Sequence, residues 1–391
     1  MPTPLRPPVI VTGEHGRHSA NRTTPQKKKR GPRLVTALFS ILALLALVHF
    51  FIVMQTNNTQ STSPTTCSSL IRHTDYTKYV QFDPASQQIG AIQYVDQLMG
   101  NQPTALVQVI DTQHTLDVYI YGCVMQHATP QLSVLFKQQG LVQGTVSMSK
   151  VNTLVLGERD TTLSQAATAI IQPMQQNLYQ EYRWLNGMFV QTLFPGLYPV
   201  TSRSEAEALQ EQANNGESVP WNDPQITAEQ MAKDILQWST SGYQDKILDN
   251  NGTVSHVLLE KKQPQMSVTV TLERLIQKDA KGLWFVTGAQ TQGITLDQSQ
   301  LPVPVTSPIH IHGTTTTTDG QVTATLFDHT LATLSSANNP VLTLSSDGTY
   351  TGNLLYTNNK QTQQVLLLIE DIPPSGSSEA GQLMLTGVIL G

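Results

Sequence analysis

The feature that most restricts how this chain can fold is a long apolar run near its N-terminus, LVTALFSILALLALVHFFIVM, which covers Leu34–Met54 without a formal charge. A helix of that length spans about 31 Å at roughly 1.5 Å per residue, which matches the hydrocarbon core of a bilayer. The run is longer than the apolar part of a signal peptide, and no small-residue cleavage site follows it. It therefore predicts an uncleaved single-pass transmembrane helix.

The charges on either side of this run predict its orientation. Residues 1–33 contain eight basic residues and one acid, and they predict a disordered cytoplasmic tail because lysine and arginine stay on the cytoplasmic side. The chain after Met54 contains 15 basic and 27 acidic residues. We therefore expect a cell-membrane protein with extracytoplasmic C-terminal domains. The acidic balance of that exported part argues against a nucleic-acid partner.

The two cysteines of the chain, Cys67 and Cys123, both lie in the part expected to be exported. Cys67 falls in a polar stalk predicted for residues 55–75. An oxidising compartment permits the two thiols to pair, and closing a loop of that size stabilises a fold by about 4 kcal/mol in the loop-entropy treatment. The sequence leaves open whether the two thiols pair or remain free.

Residues 76–200 predict a first α+β module. The segment Asp83–Gly100 is typical of a helix, because an aspartate that can cap it is followed by proline at the first helical position and glycine stands at the end. Several strand-like runs follow. Asn186-Gly187 lies between two aromatic-rich runs and predicts a tight hairpin with both residues at positive φ.

A helical connector over residues 201–225 leads to a second, smaller α+β module over residues 226–298. A helix followed by three strand-like runs resembles cystatin-like and NTF2-like layouts. In such folds the sheet curves over a pocket, so this module leaves room for a small-ligand or lipid site.

A proline-containing linker over residues 299–306 precedes a last module, residues 307–391. Its short alternating runs, separated by turn sequences such as SDG and PPSGSS, predict a small β-sandwich. The expected fold is therefore a transmembrane helix, two α+β modules and an all-β C-terminal domain.

This last module resembles the immunoglobulin-like domain of bacterial spore germination proteins. The matching features are the Ser307-Pro308 opening with an alternating strand to Gly313, the second strand QVTATLFD, a strand bearing Tyr350 after an Asp-Gly turn, and the final strand GQLMLTGVIL. The resemblance implies an immunoglobulin-like sandwich with a binding or structural role in the cell envelope, during sporulation or germination.

His310 and His312 stand one residue apart before a run of five threonines. In a strand they point the same way, so they could share a metal ion with a third ligand or act as a pH-sensitive contact. Because Ile309 and Ile311 occupy the alternate positions, we expect the core on the isoleucine side and both histidines facing solvent. We therefore predict no metal site there.

Three aromatic residues, Trp184, Tyr350 and Tyr356, either pack in a core or stack on sugar rings if they are exposed. Two further patterns have structural interpretations. Ser147–Lys150 fits S-x-x-K without the companion motifs of penicillin-binding enzymes, and Glu370-Asp371 is expected to be a solvated strand end.

No catalytic or cofactor-binding residues are predicted. We expect a membrane-anchored binding or scaffold protein of the bacterial cell envelope, with a wall polymer or an envelope protein as partner. The alternative is a membrane-tethered carrier that holds a small ligand or lipid in the α+β modules.

Overall fold

The computed structural model describes residues 66–127, 129–161, 176–298, 304–335, 341–357 and 363–391. Thr65–Gly391 form one compact unit. The predicted cytoplasmic tail, the apolar run Leu34–Met54 and most of the predicted stalk lie outside the described residues.

The predicted single-pass membrane location is corrected by the helices of this structure. Within the residues just given, no helix is long and apolar enough to cross a membrane. The longest of these helices has 12 residues, about 18 Å of helix, and it is amphipathic rather than apolar.

The first sheet is antiparallel, with its four strands in chain order. A short helix, α1 (Cys67–His73), and a 3₁₀ turn at Tyr76–Lys78 cover one of its faces. The strands are β1 (Gln87–Val95), β2 (Thr104–Asp111), β3 (Thr115–Gln126) and β4 (Thr129–Val142).

The helix predicted over Asp83–Gly100 is wrong, because half of that segment is β1 and none of it is helical. Asp83 does cap a turn, accepting a hydrogen bond from the backbone N–H of Ala85 at 3.0 Å. From Gln87 onward, however, the backbone pairs with β2, and a Cβ on Gly90 would lie 3.1 Å from Ile110. Long-range pairing with an adjacent strand outweighs the local helix signals here.

A second four-stranded sheet packs on the other face of the first sheet. Its last two strands form the predicted hairpin: Asn186 and Gly187 have φ values of 49° and 87°, which confirms the tight turn. The strands are β5 (Thr145–Met148), β6 (Leu154–Glu158), β7 (Leu178–Leu185) and β8 (Met188–Thr192).

The central region places two helices, α2 (Arg203–Asn214) and α3 (Pro224–Asp234), against an antiparallel sheet. Asp223 caps α3, with its side chain accepting hydrogen bonds from the backbone N–H groups of Gln225 and Ile226. The strands of this region are β9 (Tyr243–Asn250), β10 (Val254–Lys262), β11 (Gln265–Glu273) and β12 (Phe285–Gln290).

The C-terminal region is a β-sandwich, as its alternating pattern predicts. Its strands are β13 (Thr295–Leu296), β14 (Ile309–Thr314), β15 (Gln321–Phe327), β16 (Thr343–Leu344), β17 (Thr349–Leu354), β18 (Gln363–Ile372) and β19 (Gln382–Leu390). One layer is a four-stranded sheet of order β13-β14-β17-β16, and the facing layer is formed by β15, β18 and β19.

The sandwich and the central region share a sheet. Seven strands run in the order β15-β18-β19-β12-β11-β10-β9, joined where Ala289 and Gln290 of β12 pair with Leu385 and Met384 of β19. Strands from before and after the predicted linker over residues 299–306 therefore belong to one sheet.

Over the described residues, the predicted fold class is corrected to a mostly-β fold, with 49% strand and 12% helix. The physical reason is that the first predicted α+β module uses its amphipathic segment as an edge strand. Within residues 76–200 the described helical element is the 3₁₀ turn at Tyr76–Lys78, and the seven-residue α1 precedes the module, in the predicted stalk.

Candidate functional site

The candidate site is a cleft where the outer face of the seven-stranded sheet meets two loops of the sandwich. We call it the threonine cleft, and its volume is about 540 Å³. Strands β10 and β11 form its floor, and the loops β14–β15 and β18–β19 form its walls. The lining residues are Leu258, Ser267, Thr269, Thr291, Gln292, Thr316, Thr317 and Glu379–Gln382.

The floor follows from the two-residue period of strands. Val257 and Val268 are fully buried on the core side, so Leu258, Ser267 and Thr269 project to the opposite face. Leu258 and Thr269 are register partners across the two strands. The floor therefore presents one apolar side chain beside two hydroxyl groups.

A buried carboxylate holds the threonine loop that forms one wall. Asp371, at the end of β18, is fully buried. Its Oδ2 accepts a hydrogen bond from Thr315 Oγ1 at 2.5 Å and another from the hydroxyl of Thr317. Asp371 was expected at a solvated strand end, and this expectation is wrong because the threonine run folds over the carboxylate.

Gly320 closes the other side of Asp371. A Cβ on Gly320 would lie 1.8 Å from Asp371 Oδ1, so a side chain there would displace the carboxylate or the loop. Oδ1 has no hydrogen-bond partner among the described residues. Leaving such an oxygen buried costs free energy, and the two threonine hydroxyls on Oδ2 offset part of that cost.

Gln382, the first residue of β19, joins this strand to the threonine loop. Its Nε2 donates a hydrogen bond to Thr316 Oγ1, and its Oε1 lies 3.0 Å from Thr315 Oγ1. Next to it, the backbone of Thr291 donates to Leu383 O at 2.9 Å, and its Oγ1 accepts from Leu383 N at 3.0 Å. The cleft wall is thus ordered by side-chain and backbone hydrogen bonds.

Two carboxyl groups stand at the mouth of the cleft. Glu379 accepts hydrogen bonds from Thr318, at 3.1 Å from the backbone N–H and 3.0 Å from Oγ1, and the backbone bond is the main reason that the pKa of Glu379 is lowered. Desolvation and the neighbouring Glu379 raise the pKa of Asp319. Among the described residues that line the cleft there is no lysine, arginine or histidine.

The two histidines singled out in the sequence lie on the outer face of β14, as expected. His310 is exposed and its Nδ1 lies 3.2 Å from Asn353 Oδ1, whereas His312 is half-buried with its Nδ1 3.9 Å from Asp297 Oδ2. In the described part of the chain, no group of three or more His, Cys, Asp and Glu residues is arranged to hold a metal ion.

The three aromatic candidates are packed rather than displayed. Tyr350 is fully buried and donates a hydrogen bond to Thr295 O at 2.6 Å, and buried Tyr356 donates to Val305 O at 3.0 Å. Half-buried Trp184 packs edge-on against Phe189, with ring centroids 5.0 Å apart. Both tyrosines are therefore corrected from surface candidates to core residues, because each hydroxyl finds a backbone acceptor inside the sandwich.

Cys67 and Cys123 are joined in a disulfide that ties α1 to β3. The S-x-x-K segment lies at the β5–β6 turn, where Ser149 Oγ accepts from the backbone N–H of Thr153 at 3.1 Å. This contact is a local turn interaction.

The lining of the cleft was missed in the sequence, although one signal was present. A run of five threonines before Asp-Gly places many hydroxyl groups in a short loop. Nothing local indicates that Asp371, Glu379 and Gln382 meet that loop, because they lie more than 50 residues further along the chain.

The known proteins do not assign this site. No protein-family model matches the chain, and a search of curated proteins finds no match.

Proposed function

We propose that this protein is a non-catalytic binding protein of the bacterial cell envelope and that its threonine cleft holds a segment of a hydroxyl-rich wall polymer. The observation that carries the proposal is the lining of the cleft, to which five hydroxyl and two amide side chains contribute. They are Ser267, Thr269, Thr291, Thr316 and Thr317, with Gln292 and Gln382.

This lining suits a polar ligand. Most small-molecule sites are largely apolar with a few polar groups, whereas here hydroxyls and amides predominate. A hydroxyl and an amide group can each donate and accept, so the lining groups that are not already bonded to Asp371 and Leu383 complement the alternating donors and acceptors of a sugar chain. A ligand of this kind exchanges its hydrogen bonds with water for bonds of similar strength.

Two further observations support an envelope setting. The Cys67–Cys123 disulfide is of the kind that persists in oxidising compartments. The sequence of residues 307–391 resembles the immunoglobulin-like domain of spore germination proteins, and this resemblance adds the spore cortex to the vegetative wall as a source of the polymer.

The alternative carrier function requires an apolar cavity beneath the central sheet. Three tryptophans pack into that region: Trp284 is 1% exposed, Trp238 5% and Trp221 8%. These side chains occupy the space that a lipid or small apolar ligand would need, so the observations favour the cleft.

The experiment that tests the proposal measures retention of the full chain on isolated cell wall and on spore cortex. Ser267→Trp puts a large side chain on the exposed floor of the cleft without entering the core, and we expect it to abolish retention. Thr343→Trp, at an exposed threonine of β16, is the matched control and should bind like the wild type. Equal retention of both variants would exclude the cleft as the binding site.

A further inference from the structure

We infer that the floor of the threonine cleft recognises an acetamido group, the N-acetyl substituent of an amino sugar, with its methyl against Leu258. This inference rests on the proposed function, because it names the substituent by which the cleft distinguishes one hydroxyl-rich polymer from another. An acetamido group carries an apolar methyl, an N–H donor and a carbonyl acceptor side by side, and the floor offers a partner to each.

The partner of the methyl group is Leu258. Among the described residues that line the cleft, it is the one large apolar side chain. It is half-buried on the outer face of β10, whereas its neighbours Val257 and Leu259 are fully buried on the core side. A methyl group laid on Leu258 removes apolar surface of both groups from water, which a ligand hydroxyl at the same place does not do.

The partners of the amide lie beside Leu258 on the same face of the sheet. Thr269 is its register partner on β11, and Ser267 lies diagonally opposite. Within the described part of the chain, neither hydroxyl is engaged by another protein group. Each hydroxyl can donate to a carbonyl oxygen and accept from an N–H, so the pair can satisfy both polar groups of an acetamido substituent.

The wall groups, in contrast, hold the cleft together. The hydroxyl of Thr317 donates to Asp371, and that of Thr291 accepts from the backbone N–H of Leu383. The side chain of Gln382 bonds to the threonine loop. The groups that remain available to select a ligand are therefore concentrated on the floor.

The charge of the lining favours a neutral substituent. Among the described lining residues there is no lysine, arginine or histidine, and Glu379 already accepts two hydrogen bonds from Thr318. Lys246 of β9 is the second register partner of Leu258, but it is exposed and lies outside the lining. A phosphate or carboxylate inside the cleft would lose water without meeting a cation, whereas an acetamido group brings no charge to desolvate.

The test compares the hexamer of N-acetylglucosamine with cellohexaose, the glucose hexamer of the same linkage. Both are neutral, and each sugar unit differs only in an acetamido group that replaces a hydroxyl. Calorimetric titration of the full chain near neutral pH measures the two affinities. We expect the acetylated hexamer to bind at least about tenfold more tightly, because it adds a buried methyl and hydrogen bonds to the floor.

The first variant removes the partner of the methyl group. Leu258→Ala should reduce the preference for the acetylated hexamer to less than about threefold and leave the affinity for cellohexaose within about twofold. Leu355→Ala, at a leucine of the sandwich that is 57% exposed, is the matched control and should keep the wild-type preference.

The second variant removes a hydroxyl and keeps the shape of the side chain. Thr269→Val should lower the preference in the same direction as Leu258→Ala, and valine suits a strand as well as threonine does. Thr271→Val is its matched control, because Thr271 is the next outward-facing residue of β11 and lies outside the lining. A preference that survives both Leu258→Ala and Thr269→Val would overturn the assignment to the floor.

The remaining outcomes separate this inference from the proposed function. Equal affinity for the two hexamers, or tighter binding of cellohexaose, would overturn the acetamido assignment and leave the polymer-binding cleft in place. Binding of neither hexamer, while Ser267→Trp still abolishes wall retention, would also overturn the acetamido assignment alone. Wall retention that Ser267→Trp leaves unchanged would remove the proposed function and this inference together.

Discussion

At the residue scale, Asp371 and Gly320 form a matched pair at the base of the threonine cleft. The carboxylate is fully buried and is held by two threonine hydroxyls, and its second oxygen faces the position that a Gly320 side chain would take. A Cβ at position 320 would meet the Asp371 carboxylate first and would also come within 2.8 Å of Thr317 Oγ1, which the same carboxylate holds in place. The two residues should therefore be energetically coupled.

This coupling gives the first prediction. Gly320→Ala forces a Cβ into Asp371 Oδ1 and should lower the free energy of unfolding by about 2 kcal/mol, as overpacking does. In an Asp371→Ala background, which itself lacks the two threonine hydrogen bonds, the same glycine substitution should cost less than about 1 kcal/mol. Urea unfolding of the four proteins measures the cycle. Additive effects would show that the two residues do not meet as described.

At the scale of elements, the β7–β8 hairpin shows how a turn sets the register of a sheet. Asn186 and Gly187 both adopt positive φ, which makes the turn twist in the sense that the strands require. The turn brings Trp184 opposite Phe189, and Phe189 in turn contacts Phe136 of β4 at a ring-centroid distance of 5.4 Å. The turn therefore positions a contact between the two N-terminal sheets.

The second prediction isolates the backbone contribution of this turn. A Cβ on Gly187 would meet no atom within 4 Å, and the same holds for Gly288 of β12, but only Gly187 has a positive φ, at 87°. Gly187→Ala should therefore destabilise the protein by about 1 kcal/mol, because an L-residue is strained in that region. Gly288→Ala should be neutral or slightly stabilising, since it restricts the unfolded chain. Thermal unfolding followed by circular dichroism gives the Tm of each variant. Similar decreases in Tm for both variants would argue against backbone strain at Gly187 as the cause.

At the scale of the whole molecule, the seven-stranded sheet makes the central region and the sandwich depend on each other. Four side chains of β18 and β19 belong to the core that packs under α2 and α3. The opposite faces of the same strands build the sandwich core. The two cores therefore share strands that neither region can lose. The side chains that these strands contribute to the central core are Leu366, Leu368, Leu383 and Leu385.

The third prediction follows from these shared strands. Deleting residues 307–391 should leave the central region without its cooperative unfolding transition, because it removes those four leucines and exposes the edge of β12. Near-ultraviolet circular dichroism, which reports the packing of Trp221, Trp238 and Trp284, measures the loss. A truncated chain that keeps the tryptophan signal and a sharp transition would show that the central region folds alone.

The deletion prediction also affects how binding is mapped. Loss of wall retention after removing the sandwich would be expected from unfolding alone, so it cannot locate the site. Single substitutions at exposed lining residues such as Ser267 avoid this difficulty, because they leave both cores intact.

Local chemistry was sufficient for several elements. The sequence by itself indicates the Asn186-Gly187 turn, the alternation of β10 and β11, and the outward direction of His310 and His312. It also indicates that the last region is a β-sandwich. In each case one physical rule acts over a few residues: positive φ at a tight turn, or a two-residue period with one face buried.

Only the tertiary structure determined the remaining features. Asp83–Gly100 has the end signals of a helix, yet half of it becomes a strand because β2 offers an edge to pair with. Tyr350 and Tyr356 are buried because distant backbone carbonyls accept their hydroxyl groups. The threonine cleft unites a loop at residues 315–320 with residues near 371 and 379, and no local pattern specifies such a meeting. Sequence alone thus determined which segments alternate and turn, whereas long-range strand pairing decided which of them share a sheet and where the cleft lies.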